Sequence, residues 1–187
     1  MAKPLVPAAG RLLVARPTMG DPRFHRTVIL LLEHDDDGTL GVVLNRPSET
    51  DVGEEMPEWV SAAAPPDRFF VGGPVEPQAV MAVGRLASTD VEWDPASRLV
   101  GDVVLINMAK GPHGPEVLAG HRLFVGYAGW GPGQLDGELG ADGWWVVASE
   151  PDDLLASDPD GLWSAVLARQ GGALATVANY PEDVSLN

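Results

Sequence analysis

The sequence predicts an α+β fold, because apolar strand-like runs dominate the chain as far as Ala148, a hairpin signal opens it, and helical patterns gather after residue 150. That order lacks the regular strand–helix alternation of a parallel sheet. A sheet with so many strands is expected to curl or close, since its edges would otherwise stay open. A length of 187 residues suits one domain over 1–187, with irregular termini at 1–9 and 180–187.

Residues 10–17 are short, apolar and closed by proline, as a first strand would be. Residues 26–34 hold the apolar run Val28 to Leu32, the pattern of a strand buried on both faces. Asp35-Asp36-Asp37-Gly38 marks a turn and 39–46 its partner strand. Asp-Gly between such runs is a hairpin cue, because the turn needs positive φ. Residues 47–66 read as a long connection, with a short helix at 58–64. Further strands are expected at 68–71, closed by Gly72-Gly73-Pro74, and at 79–86, 99–108, 121–128 and 144–148. Helices are expected at 133–139, 160–170 and 172–179, with a single turn at 153–156. For 160–170 the signals are Asp158 as cap, Pro159 at the first helical position and a Gly171-Gly172 stop. Trp144 and Trp145, adjacent on one strand, must face opposite sides; one fills the core and the other meets a helix such as that of Trp163.

Composition excludes several chemistries. The chain has no cysteine, which removes thiolate zinc, iron–sulfur and cysteine-nucleophile chemistry. The opening residues lack the apolar core of a signal peptide, and no apolar run approaches the ~18 residues that span a bilayer. A cytoplasmic protein with no membrane association is expected. The net charge of −15 is unevenly spread: residues 1–50 balance six basic against six acidic groups, and residues 51–187 carry the whole excess. Such a field repels phosphate backbones and disfavours direct nucleic-acid binding.

Two segments carry candidate sites. From Met19 to Arg26, Asp21-Pro22 starts a turn and Arg23, His25 and Arg26 add positive charge, while Arg16 and Arg46 end neighbouring strands. Guanidinium groups grip carboxylate or phosphate in bidentate fashion, so these four arginines are candidates for an anion-binding pocket. The competing reading pairs them with Asp21 and Glu33 to pin the loop to the sheet. From Gly126 to Leu135, a run including Gly129, Gly131 and Gly133 leads into a helix start, the shape of a phosphate cradle. It lacks the Lys-Ser/Thr ending of a P-loop, and its alternative is inward packing of Tyr127 and Trp130 with close backbone crossing at the glycines. Glu33-His34-Asp35-Asp36-Asp37 lacks the alternating ligands of a calcium loop and reads as a solvated turn, so neither metal nor other cofactor is expected. Neither a Gly-x-Ser-x-Gly elbow nor a His-Glu-x-x-His pair is present, which leaves His25 and Asp21 as the acid/base candidates.

Leu13-Val14-Ala15-Arg16-Pro17, Asp21-Pro22-Arg23-Phe24, Gly41-Val42-Val43-Leu44-Asn45-Arg46-Pro47, Gly72-Gly73-Pro74-Val75 and the stretch Gly126 to Leu135 together resemble the bacterial YqgE/AlgH family. Glu138, Trp145 and Trp163 stand where that pattern places them; the departures are Gly20, where the family often has a polar residue, and 50–67, which looks particular to this chain. The resemblance implies a strongly curved, largely antiparallel, barrel-like sheet flanked by a few helices, and it supplies no catalytic residue. The leading expectation is a binding or regulatory module that recognises a small ligand or a protein partner without catalysis. The alternative is an enzyme acting on a small anionic substrate, with the arginines as clamp. A transcription-linked regulator, the label on one branch of the family, is the third.

Overall fold

The computed structural model describes residues 5–94 and 98–181, so residues 1–4 and 182–187 of the expected irregular termini lie outside the described residues. Ten strands form one sheet: β1 (Arg11–Ala15), β2 (Val28–Asp35), β3 (Gly38–Val43), β4 (Pro47–Asp51), β5 (Arg68–Val71), β6 (Val75–Leu86), β7 (Arg98–Val100), β8 (Val103–Ile106), β9 (Leu118–Trp130) and β10 (Trp144–Ala148). Their order is β10-β1-β2-β3-β9-β6-β8-β7, with β5 beside β9 and β4 beside β5. Among the described strands every pairing is antiparallel except β5 on β9. The helices are short: α1 (Val52–Glu55), α2 (Gln134–Gly140), α3 (Pro151–Leu154), α4 (Leu162–Gln170) and α5 (Gly172–Val177).

The alternation of side chains along each strand explains how one sheet buries both faces. On β2, Val28, Leu30 and Leu32 join Leu12, Val14, Phe70, Val83, Val103 and Phe124 in one cluster, and Leu162, Trp163, Val166 and Leu167 of α4 cap it. The intervening Ile29 and Leu31 turn to the opposite face, with Leu13, Trp130, Trp144 and Leu135 of α2. A third cluster covers the outer face of β6, β8 and β9 with Val52 and Trp59. Leu12 and Val103 sit on strands far apart in the order yet share one cluster, so the sheet is curled into a half-barrel. A Cβ placed on Gly10, at the head of β1, would lie 2.6 Å from the Val100 Cβ on the last strand of the order.

Several elements depart from the sequence expectation. The hairpin forms at Asp35↔Gly38, with Asp36 and Asp37 as its two central residues and the positive-φ glycine one place later, at the start of β3. Asp35 Oδ1 accepts from the N–H groups of Asp37 (2.9 Å) and Gly38 (3.2 Å), so an Asx turn closes the loop. Gly38 is needed for close approach: its φ is +148°, and a Cβ there would lie 2.5 Å from the Trp130 carbonyl oxygen. Residues 47–66 are more than a connection, since β4, α1 and a 3-10 segment Pro57–Ala62 close the outer cluster with Val52 and Trp59. Residues 99–108 are not one strand; a turn at Gly101–Asp102 folds them into β7 and β8. Asp158 caps the turn before α4, where its Oδ1 accepts from Gly161 N, and α4 itself starts at Leu162. Trp144 and Trp145 do face opposite sides, Trp144 with α2 and Trp145 against the cluster that holds Trp163.

Candidate functional site

The four candidate arginines share a stretch of sequence but not one place in the fold. Arg16 pairs with Asp142 at 2.8 Å and lies 5.0 Å over the Trp145 ring. Arg26 lies 4.1 Å over the Trp163 ring, donates to the Tyr180 carbonyl at 2.8 Å and reaches Ser164 Oγ at 3.3 Å, which ties it to the α4–α5 region. Arg23 and Arg46 do share one cavity. Both line a cavity of about 320 Å³ with Phe24, Val43, Val71 and Gly73, Pro47 and Pro74 completing its rim.

Each wall of that cavity has a local cause. Asp21 caps the 3-10 turn Pro22–Phe24 by accepting from Arg23 N at 2.9 Å, and the same carboxylate binds the Arg23 guanidinium at 2.6–3.1 Å. The Arg23 guanidinium holds the Asp21 carboxyl below its usual value, so Asp21 is a fixed anion and not a proton donor near neutrality. Phe24 is anchored beneath by Trp130 and Trp144, with centroids 6.5 and 5.6 Å away. Asn45 acts as a substitute peptide group: Val28 N donates to its Oδ1 and its Nδ2 donates to the Arg26 carbonyl, both at 2.9 Å. That amide carries the β3 exit past the end of its ladder and sets Arg46 beside β5, where Val71 N donates to the Arg46 carbonyl at 2.8 Å. Arg46 Nη2 in turn donates to the His25 carbonyl at 2.8 Å. Among the described residues no carboxylate lies within 4.0 Å of the Arg46 guanidinium. Gly73 closes the far wall because its backbone crosses β9; a Cβ there would lie 2.2 Å from the Tyr127 carbonyl.

The glycine turn faces elsewhere. Gly129 lines a hollow with Glu33, Asp35 and Asp37, and Gly131 and Gly133 line another with His34, Asp35, Asp36 and Asp136. Acidic walls oppose a phosphate, and the Gly131 N–H is already taken by Gln134 Oε1 at 3.0 Å. The structure does not bring these glycines to the arginines. The purpose of the segment is visible in Glu138, whose Oε2 accepts from Trp130 Nε1 (2.9 Å) and Trp144 Nε1 (2.8 Å). His25, the other acid/base candidate, is exposed at the end of the 3-10 turn.

Residues 12–175 match the AlgH-like family. The chain belongs to the AlgH-like family. A UPF0301 protein of Streptomyces coelicolor is 47% identical over 185 residues, covering 95% of this chain and 94% of that protein. A UPF0301 protein of Mycobacterium tuberculosis is 43% identical, with coverage of 96% and 90%. A crystal structure of a Corynebacterium diphtheriae protein superposes with a TM-score of 0.88 at 34% identity, over 96% of this chain and 95% of that one. The solution structure of the AlgH protein from Pseudomonas aeruginosa gives 0.65 at 27% identity, with coverage of 96% and 98%. The half-barrel is therefore the AlgH-like fold.

Three of the segments that carry the AlgH-like resemblance, at Asp21 to Phe24, Gly41 to Pro47 and Gly72 to Val75, converge on the Arg23–Arg46 cavity. Sequence reasoning named its two arginines and missed Phe24, Val71, Gly73 and Pro74 as its walls. It also missed Arg122 and gave the neighbouring His121 no role. The available signal was their place at the head of the uninterrupted apolar run Leu123 to Val125, where a strand buried on both faces has no solvent side for a charge.

Proposed function

We propose that this protein is a non-catalytic binding module whose recognition surface is the Arg23–Arg46 cavity, and that its ligand carries one anionic group on an apolar body. The observation that supports this reading most strongly is the Arg46 guanidinium: among the described residues it is backed by a carbonyl and by no carboxylate, and it lines a cavity whose other walls, Arg23 apart, are apolar. A guanidinium held by a backbone acceptor keeps its other N–H groups for a carboxylate or phosphate, and charge-assisted bonds of this type are the strong ones. Arg23, neutralised by Asp21, contributes a planar wall and a weaker field. Phe24, Val43 and Val71 supply the apolar floor, and Val71 is 44% exposed. A site with one committed cation and no positioned base suits recognition better than turnover.

The test is calorimetric titration with 4-phenylbutyrate and phenyl phosphate as probes. Arg46→Ala is expected to weaken either probe by about tenfold or more, the usual loss when a charge-assisted hydrogen bond is removed. Arg16→Ala, remote from the cavity, is expected to leave binding unchanged. Equal binding by the wild-type and Arg46→Ala proteins, or none by either, defeats the proposal.

A further inference from the structure

Building on the recognition role proposed above, we infer that the Arg23–Arg46 cavity selects among anions: it takes an apolar monocarboxylate and discriminates against a phosphate ester or an α-amino acid built on the same body. Charge at the rim is the first reason. Asp21 engages one whole edge of the Arg23 guanidinium, with Nε donating to Oδ1 at 3.0 Å and to Oδ2 at 3.1 Å, and Nη2 donating to Oδ2 at 2.6 Å. That pair carries no net charge. Arg46 is left as a single positive charge that no carboxylate among the described residues pairs with. One carboxylate matches it. A phosphate monoester carries about −1.5 to −2 at neutral pH, and its surplus would stand on a body of net charge −15.

The backbone around the cavity is the second reason. Phosphate cradles are made from successive free N–H groups. Here the N–H of Arg23 is taken by Asp21 Oδ1, and that of Phe24 by the Asp21 carbonyl. The N–H of Val43 goes to the Gly72 carbonyl and that of Val71 to the Arg46 carbonyl. Pro47 and Pro74 have no N–H to give. Arg46 and Gly73 are each followed by one of those prolines, so the lining nowhere presents two successive donors. An anion is therefore held by a guanidinium fork, whose two parallel N–H groups fit the two oxygens of a carboxylate and leave the third oxygen of a phosphate without a partner. The lining holds no acidic side chain, and the Asp21 carboxylate is already bound to Arg23. An α-ammonium group would meet two guanidinium groups there and gain no counter-ion.

The experiment is calorimetric titration of the full-length protein at neutral pH with three ligands that share one body. They are 4-phenylbutyrate, 3-phenylpropyl phosphate, which carries a phosphate ester on the same phenylpropyl group, and L-homophenylalanine, which adds an α-ammonium group to 4-phenylbutyrate. The carboxylate is expected to bind about tenfold or more tighter than either of the others. Asp21→Asn keeps an acceptor for the turn but frees the Arg23 guanidinium, so the corner gains a second charge. That variant should bind the phosphate ester about tenfold tighter than the wild type does, with a smaller gain for the carboxylate. A phosphate ester or amino acid that binds the wild type as tightly as 4-phenylbutyrate overturns the selectivity and leaves recognition by Arg46 standing. Phosphate affinity that stays unchanged in Asp21→Asn also overturns it, because the charge count is then not its source. Absence of binding by all three ligands defeats the recognition role itself, and the selectivity with it.

Discussion

Arg122 enters the interior of the molecule, and among the described residues no carboxylate pairs with it. Its guanidinium donates instead to the carbonyls of Leu154 (2.7 Å), Pro65 (2.9 Å) and Ala156 (2.6 Å), and it lies 4.2 Å over the Phe70 ring. Burial pulls it down to about 10, so it remains charged at neutral pH and joins three chain segments at one point. Its neighbour His121 is 1% exposed and rests edge-on against Trp59 at 5.5 Å, and neither ring nitrogen has a hydrogen bond of normal geometry among the described residues. Burial lowers it from 6.5 to about 4. The unfolded chain therefore takes up a proton as pH falls through 6.5 that the native state refuses until about 4, and stability is lost with acidification. Between pH 7 and 5 this costs about 2 kcal/mol. Urea unfolding of the wild type and of His121→Phe at both pH values should show that loss in the wild type alone; equal slopes would mean that the histidine is solvated in the native state.

At the scale of elements, the parts legible in the sequence were those that periodicity or turn chemistry fixes locally. β1, β2 and β10 declared themselves as short apolar runs, the first closed by proline and the second by an Asp-Gly turn, and the two clusters around Ile29 and Leu30 show β2 buried on both faces as its unbroken run predicts. The hairpin was legible but its mechanism was not, since the need for Gly38 comes from Trp130 on β9, remote in sequence. Replacing Gly38 by Ala drives a Cβ into that carbonyl and should cost roughly 1–3 kcal/mol in denaturant unfolding. Gly133→Ala, with open space around it at φ +68°, should cost only about 1 kcal/mol for its left-handed backbone. Equal costs would show that the crossing at Gly38 relaxes freely. The segment 47–66 escaped the sequence reading for a related reason: Val52 and Trp59 are isolated apolar residues in a polar, proline-bracketed stretch, and only the outer face of β6, β8 and β9 gives them something to cover. The site was half legible for the same cause. Charge marked Arg23 and Arg46, but Gly73 and Val71 become walls only after β5 is laid beside β9.

Across the whole molecule, the curl of the sheet decides which cations act together. Arg16 and Arg26 flank the same loop as Arg23, yet alternation and curl send one to Asp142 and Trp145 and the other to Trp163 and the α4–α5 region. What survives of a cationic corner is the Arg23–Arg46 pair, set on a body of net charge −15 and reached by three separated segments. No helix among the described residues is long and apolar enough to cross a membrane. We propose that those three segments make one recognition surface, and backbone amide shift mapping with 4-phenylbutyrate is the sharpest check on it. Saturable shifts confined to residues 23–24, 43–47 and 71–74, and erased in Arg46→Ala, are the predicted result; shifts centred on residues 129–136, or a map untouched by the Arg46 substitution, would contradict it.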